Sequence, residues 1–185
     1  VDIEPTPCRC LLCQPANPDE AQWDLRDRTI AQNVREHGWH TMGVTGYDTP
    51  DWAYSIGMWH THGGYDICIT GLPVENAMAL VAKIARQVRD GRPLGAEKRR
   101  LDVIEGYEVA TRPVHPSWYP AMFGAGLDFF QTPPWPMLQA VWPDRQGRFP
   151  WEEGADPERR DQQPFLWLDR NEHPASAWVS SSLSL

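Results

Sequence analysis

Between Val74 and Asp90 the apolar side chains Val74, Ala77, Met78, Val81, Ile84, Ala85 and Val88 form two interleaved rows, 74-77-81-84-88 and 74-78-81-85-88, each stepping by three or four. This spacing predicts a helix with one apolar face, and Gly91 terminates the pattern. Pro73 stands where a first helical turn tolerates it. A second helix is predicted from the cap candidate Asp24 to His37, with Leu25, Ile30 and Val34 near one face and Gly38 as the stop. The runs Trp39–Val44 and Trp52–Met58 are aromatic or β-branched and flank the turn formers Gly46-Tyr47-Asp48-Thr49-Pro50-Asp51, which reads as a β-hairpin. Asp66–Thr70 is a third strand closed by Gly71, and Leu101–Ala110 and Met137–Trp142 supply two more, separated by a loop-like stretch dense in Pro, Gly and aromatics.

Strands clustered in hairpins, with helices inserted rather than alternating regularly, predict an α+β fold, an antiparallel sheet packed by two main helices with long Pro/Gly/Trp-rich loops. Residues 1–22, with four prolines, read as a Cys-containing N-terminal arm. A single α+β domain is expected over 23–170 and a flexible tail over 171–185, with Ser180–Leu185 frayed.

Composition narrows the function classes. The 185 residues carry 17 Lys plus Arg against 25 Asp plus Glu, a formal charge of -8, which opposes a phosphate backbone unless a local basic patch exists. No nucleic-acid partner is expected. No stretch approaches the roughly 18 apolar residues of a membrane span, and Val-Asp-Ile-Glu-Pro lacks the basic and apolar regions of a signal peptide, so a cytoplasmic protein without membrane contact is expected. Ten Trp is several times the usual share of roughly one per hundred residues. Either the indoles fill the core of a proline-rich chain, or some line a pocket and stack on a flat or cationic ligand.

Three groups of residues carry candidate chemistry. Cys8, Cys10 and Cys13 have C-x-C-x-x-C spacing, which lets three thiolates converge on one soft metal ion, zinc first. The fourth ligand must come from elsewhere, with Cys68, a His or a water as options, and a disulfide-forming arm is the competing reading. Because the arm has little helix or strand ladder to anchor it, a metal there is expected to serve structure more than catalysis. His60 and His62 follow a strand. On an extended backbone they point to the same side and can chelate a metal or move protons, with Asp66 or Asp51 available to orient an imidazole; if the chain turns, the two rings diverge. His60, His62 and Asp66 are thus the catalytic candidates. The run from Trp142 to Glu152 leaves a strand, turns at Asp144-Arg145-Gln146-Gly147 and returns through aromatics, so Trp142, Asp144 and Trp151, with Trp59, are ligand-binding candidates. The competing reading is a turn whose indoles cap the core, with Asp144 bonding its own backbone. No nucleophile elbow, phosphate loop or dinucleotide fingerprint is present, and no nucleotide cofactor is predicted.

Taken in order, Cys8-Arg9-Cys10-Leu11-Leu12-Cys13, Gly38-Trp39, Ala53-Tyr54-Ser55-Ile56-Gly57-Met58, Thr70-Gly71-Leu72-Pro73, Asp90-Gly91, Gln139-Ala140-Val141-Trp142-Pro143-Asp144 and Gly147-Arg148-Phe149-Pro150-Trp151 resemble the bacterial family known as domain of unknown function 4262, over about residues 8–165. Members tend to carry Gly-His-Pro-Glu after the Tyr-Ser-Ile-Gly strand, where this chain has Gly63-Gly64-Tyr65-Asp66. The resemblance implies a compact bacterial α+β domain and no reaction. If the family's His is functional, either His60 or His62 replaces it here or the activity differs. Two function classes follow: a metal-dependent or acid/base enzyme on a small molecule, or a non-enzymatic binding or protective module that engages a partner protein or small ligand through exposed aromatics.

Overall fold

The computed structural model describes residues 7–13, 20–131 and 133–180. The tail residues 181–185 lie outside them. Six strands form one open sheet: β1 (His40–Val44), β2 (Trp52–Ile56), β3 (Asp66–Thr70), β4 (Arg99–Ile104), β5 (Tyr107–Pro113) and β6 (Met137–Val141). Their spatial order is β1-β2-β3-β6-β5-β4, antiparallel at every joint except the parallel β3–β6 pair, where Asp66 faces Met137 and Cys68 faces Gln139. The fold is α+β, mostly antiparallel, with one parallel joint at its centre.

Side-chain alternation along the three central strands sends residues to two different cores. Ala53, Ile67, Ile69, Leu138 and Ala140 pack with Ala77, Val81 and Ile84 of α3 (Val74–Arg89). Trp52, Tyr54, Ile56, Cys68 and Met137 face the opposite, larger core, built from α1 (Leu25–His37), the short α4 (Tyr119–Met122) and α5 (Gly124–Phe130), and the indoles of Trp118, Trp135 and Trp178. With both faces covered, β2, β3 and β6 are buried at every position. Gly43 in β1 is a packing requirement, since a Cβ there would lie 2.8 Å from a Val74 methyl and 2.5 Å from Met78 Sδ.

The predicted α1 and α3 are present with the expected ends. Asp24 accepts from Asp27 N at 2.7 Å, and Gly38, at φ 92°, donates to Val34 O. Leu25, however, is 75% exposed, because it stands five positions before Ile30, which turns it off the buried face. Leu101–Ala110 is not one strand but parts of two. Glu105-Gly106 forms a two-residue turn with Gly106 at φ 78°, and β4 and β5 pair across it. The stretch read as loop between β5 and β6 contains α4 and α5. The second strand of the first hairpin stops at Ile56, and Met58–His62 forms a helix, α2. Beyond β6 lie only α6 (Pro157–Gln162) and α7 (Ala177–Ser180) among the described residues. The segment read as a tail includes Trp178, fully buried, with its indole N–H donating to Asp161 O.

Candidate metal centre

Two segments far apart in sequence meet at the edge of the larger core. The first is Cys8–Cys13. Its Leu11 amide donates to Phe129 O of α5, its Cys13 amide closes a turn onto Cys10 O, and Cys10 and Leu11 are buried in the core cluster. The second is α2. Gly57 begins this helix at φ 109°, and a Cβ there would lie 2.6 Å from a methyl of Val34, so only glycine lets α2 sit this close to α1.

The free amides at the start of α2 are received by Asp66, the first residue of β3. Its carboxylate accepts from Met58 N at 3.1 Å, Trp59 N at 3.4 Å and Ser55 Oγ at 2.6 Å, and Ser55 Oγ accepts from Ile67 N. Asp66 is fully buried; desolvation pushes its carboxyl up to about 7, against the opposing pull of the Ser55, Met58, Trp59 and Gly57 donors. Trp59 packs its indole on Phe130, 5.5 Å between centroids, which fixes the other side of the helix.

This scaffold aims His60 at the cysteines. Its Nδ1 lies 3.9 Å from Cys8 Sγ, 3.3 Å from Cys10 Sγ and 3.2 Å from Cys13 Sγ, and all four donor atoms lie within 4.8 Å of one another. A tetrahedral zinc with Zn–S of about 2.3 Å and Zn–N of about 2.0 Å requires S···N edges of about 3.6 Å, which the three distances bracket. The residues fit such an ion. The cluster grades from buried Cys10 through half-buried Cys8 and His60 to exposed Cys13. Without metal it concentrates a thiolate at Cys8, held at about 4 by the neighbouring Cys10 thiol, against desolvation, with His60 and Cys13 adding further hydrogen bonds; Cys10, which donates to that thiolate and is desolvated, is pushed up strongly, and burial raises Cys13. All four cysteines are free of disulfides. Cys68 is outside the cluster, buried in the middle of β3 with its thiol pushed up by desolvation.

Of the two arrangements open to His60 and His62, an extended pair or diverging rings, the helix Met58–His62 gives the second. On a helix, residues two apart are about 200° around the axis, so the rings diverge. His62 Nε2 instead stands 3.3 Å from the position a Gly38 Cβ would take, near enough to Arg89 for that charge, after desolvation, to lower its pKa. Asp66 supports the start of the helix from inside the protein, and the hydrogen bonds of its carboxylate go to a hydroxyl and to backbone amides.

The Trp142–Trp151 loop is held both by its own residues and by β3, β5 and the segment that follows it. The indole of Trp142 donates to Thr70 O at 2.9 Å, and the Arg159 guanidinium covers its ring at 5.1 Å. Asp144 accepts from the amides of Gln146, Arg148 and Asp156 and from Arg148 Nε at 3.0 Å. Although desolvation works the other way, these donors hold its carboxyl below the usual carboxylate range. Trp151 stacks on Phe149 at 4.8 Å, meets Trp167 edge-on at 5.3 Å and lies under Arg112 at 4.8 Å. All ten indoles are buried or half-buried, and Tyr47 is the one large aromatic on the exposed surface of the described residues. The indoles pack in the cores and against loops, and Trp151 also lines a cleft of about 340 Å³ with Pro150, Arg160, Phe165 and His173.

No curated protein and no solved structure matches this chain. No helix of the described residues is long and apolar enough to cross a membrane. A family model does match residues 33–156. That stretch contains α2 with His60 and the Asp144 loop, and it begins after the three cysteines. As the match covers well over half of the chain, the protein belongs to the family described as domain of unknown function DUF4262.

Proposed function

We propose that this protein is a zinc-stapled domain, in which Cys8, Cys10, Cys13 and His60 hold one zinc ion that pins the N-terminal segment to the family domain, and that the domain works as a binding module and not as a zinc hydrolase. The observation that carries the reading is the donor count. Three thiolates and one imidazole from the protein fill a tetrahedral shell, whereas hydrolytic zinc keeps a position open for water. The divergence of His62 and the burial of Asp66 in a helix-supporting role add to this, because they remove the partners with which His60 would carry out acid/base chemistry. A structural ion also answers an energetic need. Among the described residues the segment docks through the Leu11 amide on Phe129 O, the buried Cys10 and Leu11 and the half-buried Cys8 and Leu12, and a thiolate–zinc site supplies on the order of 10 kcal/mol of coupled folding energy.

The test is elemental analysis of protein prepared under reductant, alongside the triple Cys8→Ser, Cys10→Ser, Cys13→Ser variant and limited proteolysis of both. The expected result is one zinc per wild-type chain, none in the variant, and a cut near residues 8–13 only in the variant. Equal metal content, or equal protease resistance, would overturn the proposal.

One observation favours a second reading. Cys13 is the exposed member of the cluster, and a zinc-bound thiolate at the surface can attack a small electrophile. Alkylation of the zinc-loaded protein by iodoacetamide distinguishes the two. Fast modification at Cys13 with zinc retained supports a reactive site, and no modification until zinc is removed supports the staple.

A further inference from the structure

The charge of the chain forbids a polyanionic partner only on average, and one corner of the molecule reverses the average. A cleft of about 380 Å³ opens where the end of α1, the start of β1 and the end of α3 meet, lined by Asn33, His37, Trp39, His40, Arg86 and Arg89. Every ionisable side chain among these is basic, in a chain of net charge -8. Two carboxylates sit beside the cleft: Asp90 pairs with Arg89 Nε at 3.0 Å, and Glu36 lies 3.8 Å from His37 Nε2. Arg86 lines the cleft and has no ion pair among the described residues.

The polar groups are also prepared for an acceptor. Asn33 Nδ2 donates to His40 Nδ1 at 2.8 Å, which leaves Nε2 as the proton-bearing nitrogen of a neutral ring, a fixed N–H donor. The Arg89 guanidinium lies 5.9 Å from the Trp39 ring centroid, so a buried indole supports it. His62, left without a role at the metal centre, stands at this same corner through its contact with the Gly38 position and the influence of Arg89.

A structural role accounts for part of this set. Cations in the last turns of α1 and α3 complement the helix dipoles. That role does not require the strand residue His40, the Asn33 bond that sets its tautomer, or the concavity that brings three elements together around Arg86.

We propose that this cleft is a binding site for a small oxyanion, a phosphate- or carboxylate-bearing metabolite, held by the Arg86 and Arg89 guanidinium groups and by the His40 N–H. Guanidinium forks match the paired oxygens of phosphate and carboxylate. The volume, near the lower end of the range for small-molecule pockets, suits a small molecule and not a polymer. The site is separate from the zinc centre and stands whether or not that reading holds.

The experiment is calorimetric titration of the full chain with inorganic phosphate, pyrophosphate and citrate at constant ionic strength, set against sodium chloride, for wild type and for the Arg86→Gln, Arg89→Gln double variant. A variant at Arg112, whose guanidinium covers Trp151 and Trp167, serves as the control. Saturable binding of at least one oxyanion, weakened at least about tenfold in the double variant and unchanged in Arg112→Gln, is expected. The preference between phosphate and citrate assigns the class. Arg86 and Arg89 are exposed, so the variant should fold, and its circular dichroism and melting temperature verify this. No saturable binding of any of the three, or binding that the double variant leaves intact, overturns the proposal.

Discussion

The helix that presents His60 begins and ends on a glycine with positive φ, and the two differ in one physical respect. Gly57 has φ 109° and a Val34 methyl 2.6 Å from where a Cβ would be built; Gly63 has φ 64° and nothing within 4 Å. Replacing Gly63 by Ala therefore costs only the left-handed backbone, about 1–2 kcal/mol. Gly57→Ala carries at least that backbone cost, since 109° is well removed from the left-handed minimum near 57°, and adds overpacking of about 1–3 kcal/mol against a stiff β-branched neighbour. The sum is about 2–5 kcal/mol, and Gly57→Ala should exceed Gly63→Ala by at least about 1 kcal/mol. Urea unfolding of the zinc-loaded proteins, followed by tryptophan fluorescence, measures both losses from the midpoint and slope. Adding Val34→Ala should restore part of the Gly57→Ala loss, because it removes the contacting methyls. Equal losses for the two glycines, or no recovery with Val34→Ala, would refute the claim that contact with α1 sets the position of α2.

Three further outcomes are expected. Val81 is fully buried between α3 and the sheet, so Val81→Asp should cost about 3 kcal/mol or more and exceed Val81→Ala in thermal melts; a variant that melts like wild type would contradict the orientation of α3. Asp66 stands at about 7 folded against roughly 4 unfolded, so the folded state binds more protons between those values; its contribution is complete below about pH 4 and is lost as the pH rises through 7. With zinc saturating, unfolding free energy should therefore decline less between about pH 5 and 8 in Asp66→Asn than in wild type, and identical slopes would count against a protonated buried carboxyl. Removing zinc with a chelator should make the segment around Leu11 exchange its amide protons faster while β2, β3 and β6 stay protected, as read by hydrogen exchange; uniform loss of protection would mean that the ion holds the whole domain and not the arm.

Local physics carried much of the fold. The three-and-four spacing of α3, the Asp24 cap and the Gly38 stop of α1 depend on neighbours a few residues away, and each is present in the structure. The parallel β3–β6 joint depends on residues about 70 apart, and no local pattern encodes it. The Glu105-Gly106 turn was legible, since a glycine flanked by alternating residues is a hairpin signal, but the run around it reads equally as one strand. At the site, the cysteine spacing pointed to three clustered thiols. The fourth member of the cluster comes from 47 residues beyond Cys13, and whether His60 or His62 joins it depends on α2 being helical, which five residues between two glycines do not declare. The abundance of tryptophan pointed two ways, and both appear: Trp118, Trp135 and Trp178 are fully buried in the core, while Trp39 and Trp151 line clefts.

The most direct test of the zinc staple is the X-ray absorption spectrum of the zinc-loaded protein at the metal edge. Three sulfur neighbours at about 2.3 Å and one nitrogen at about 2.0 Å are predicted, with the nitrogen replaced by an oxygen, or the metal lost, in His60→Ala. A first shell of fewer than three sulfurs, or one that His60→Ala leaves unchanged, would contradict the account.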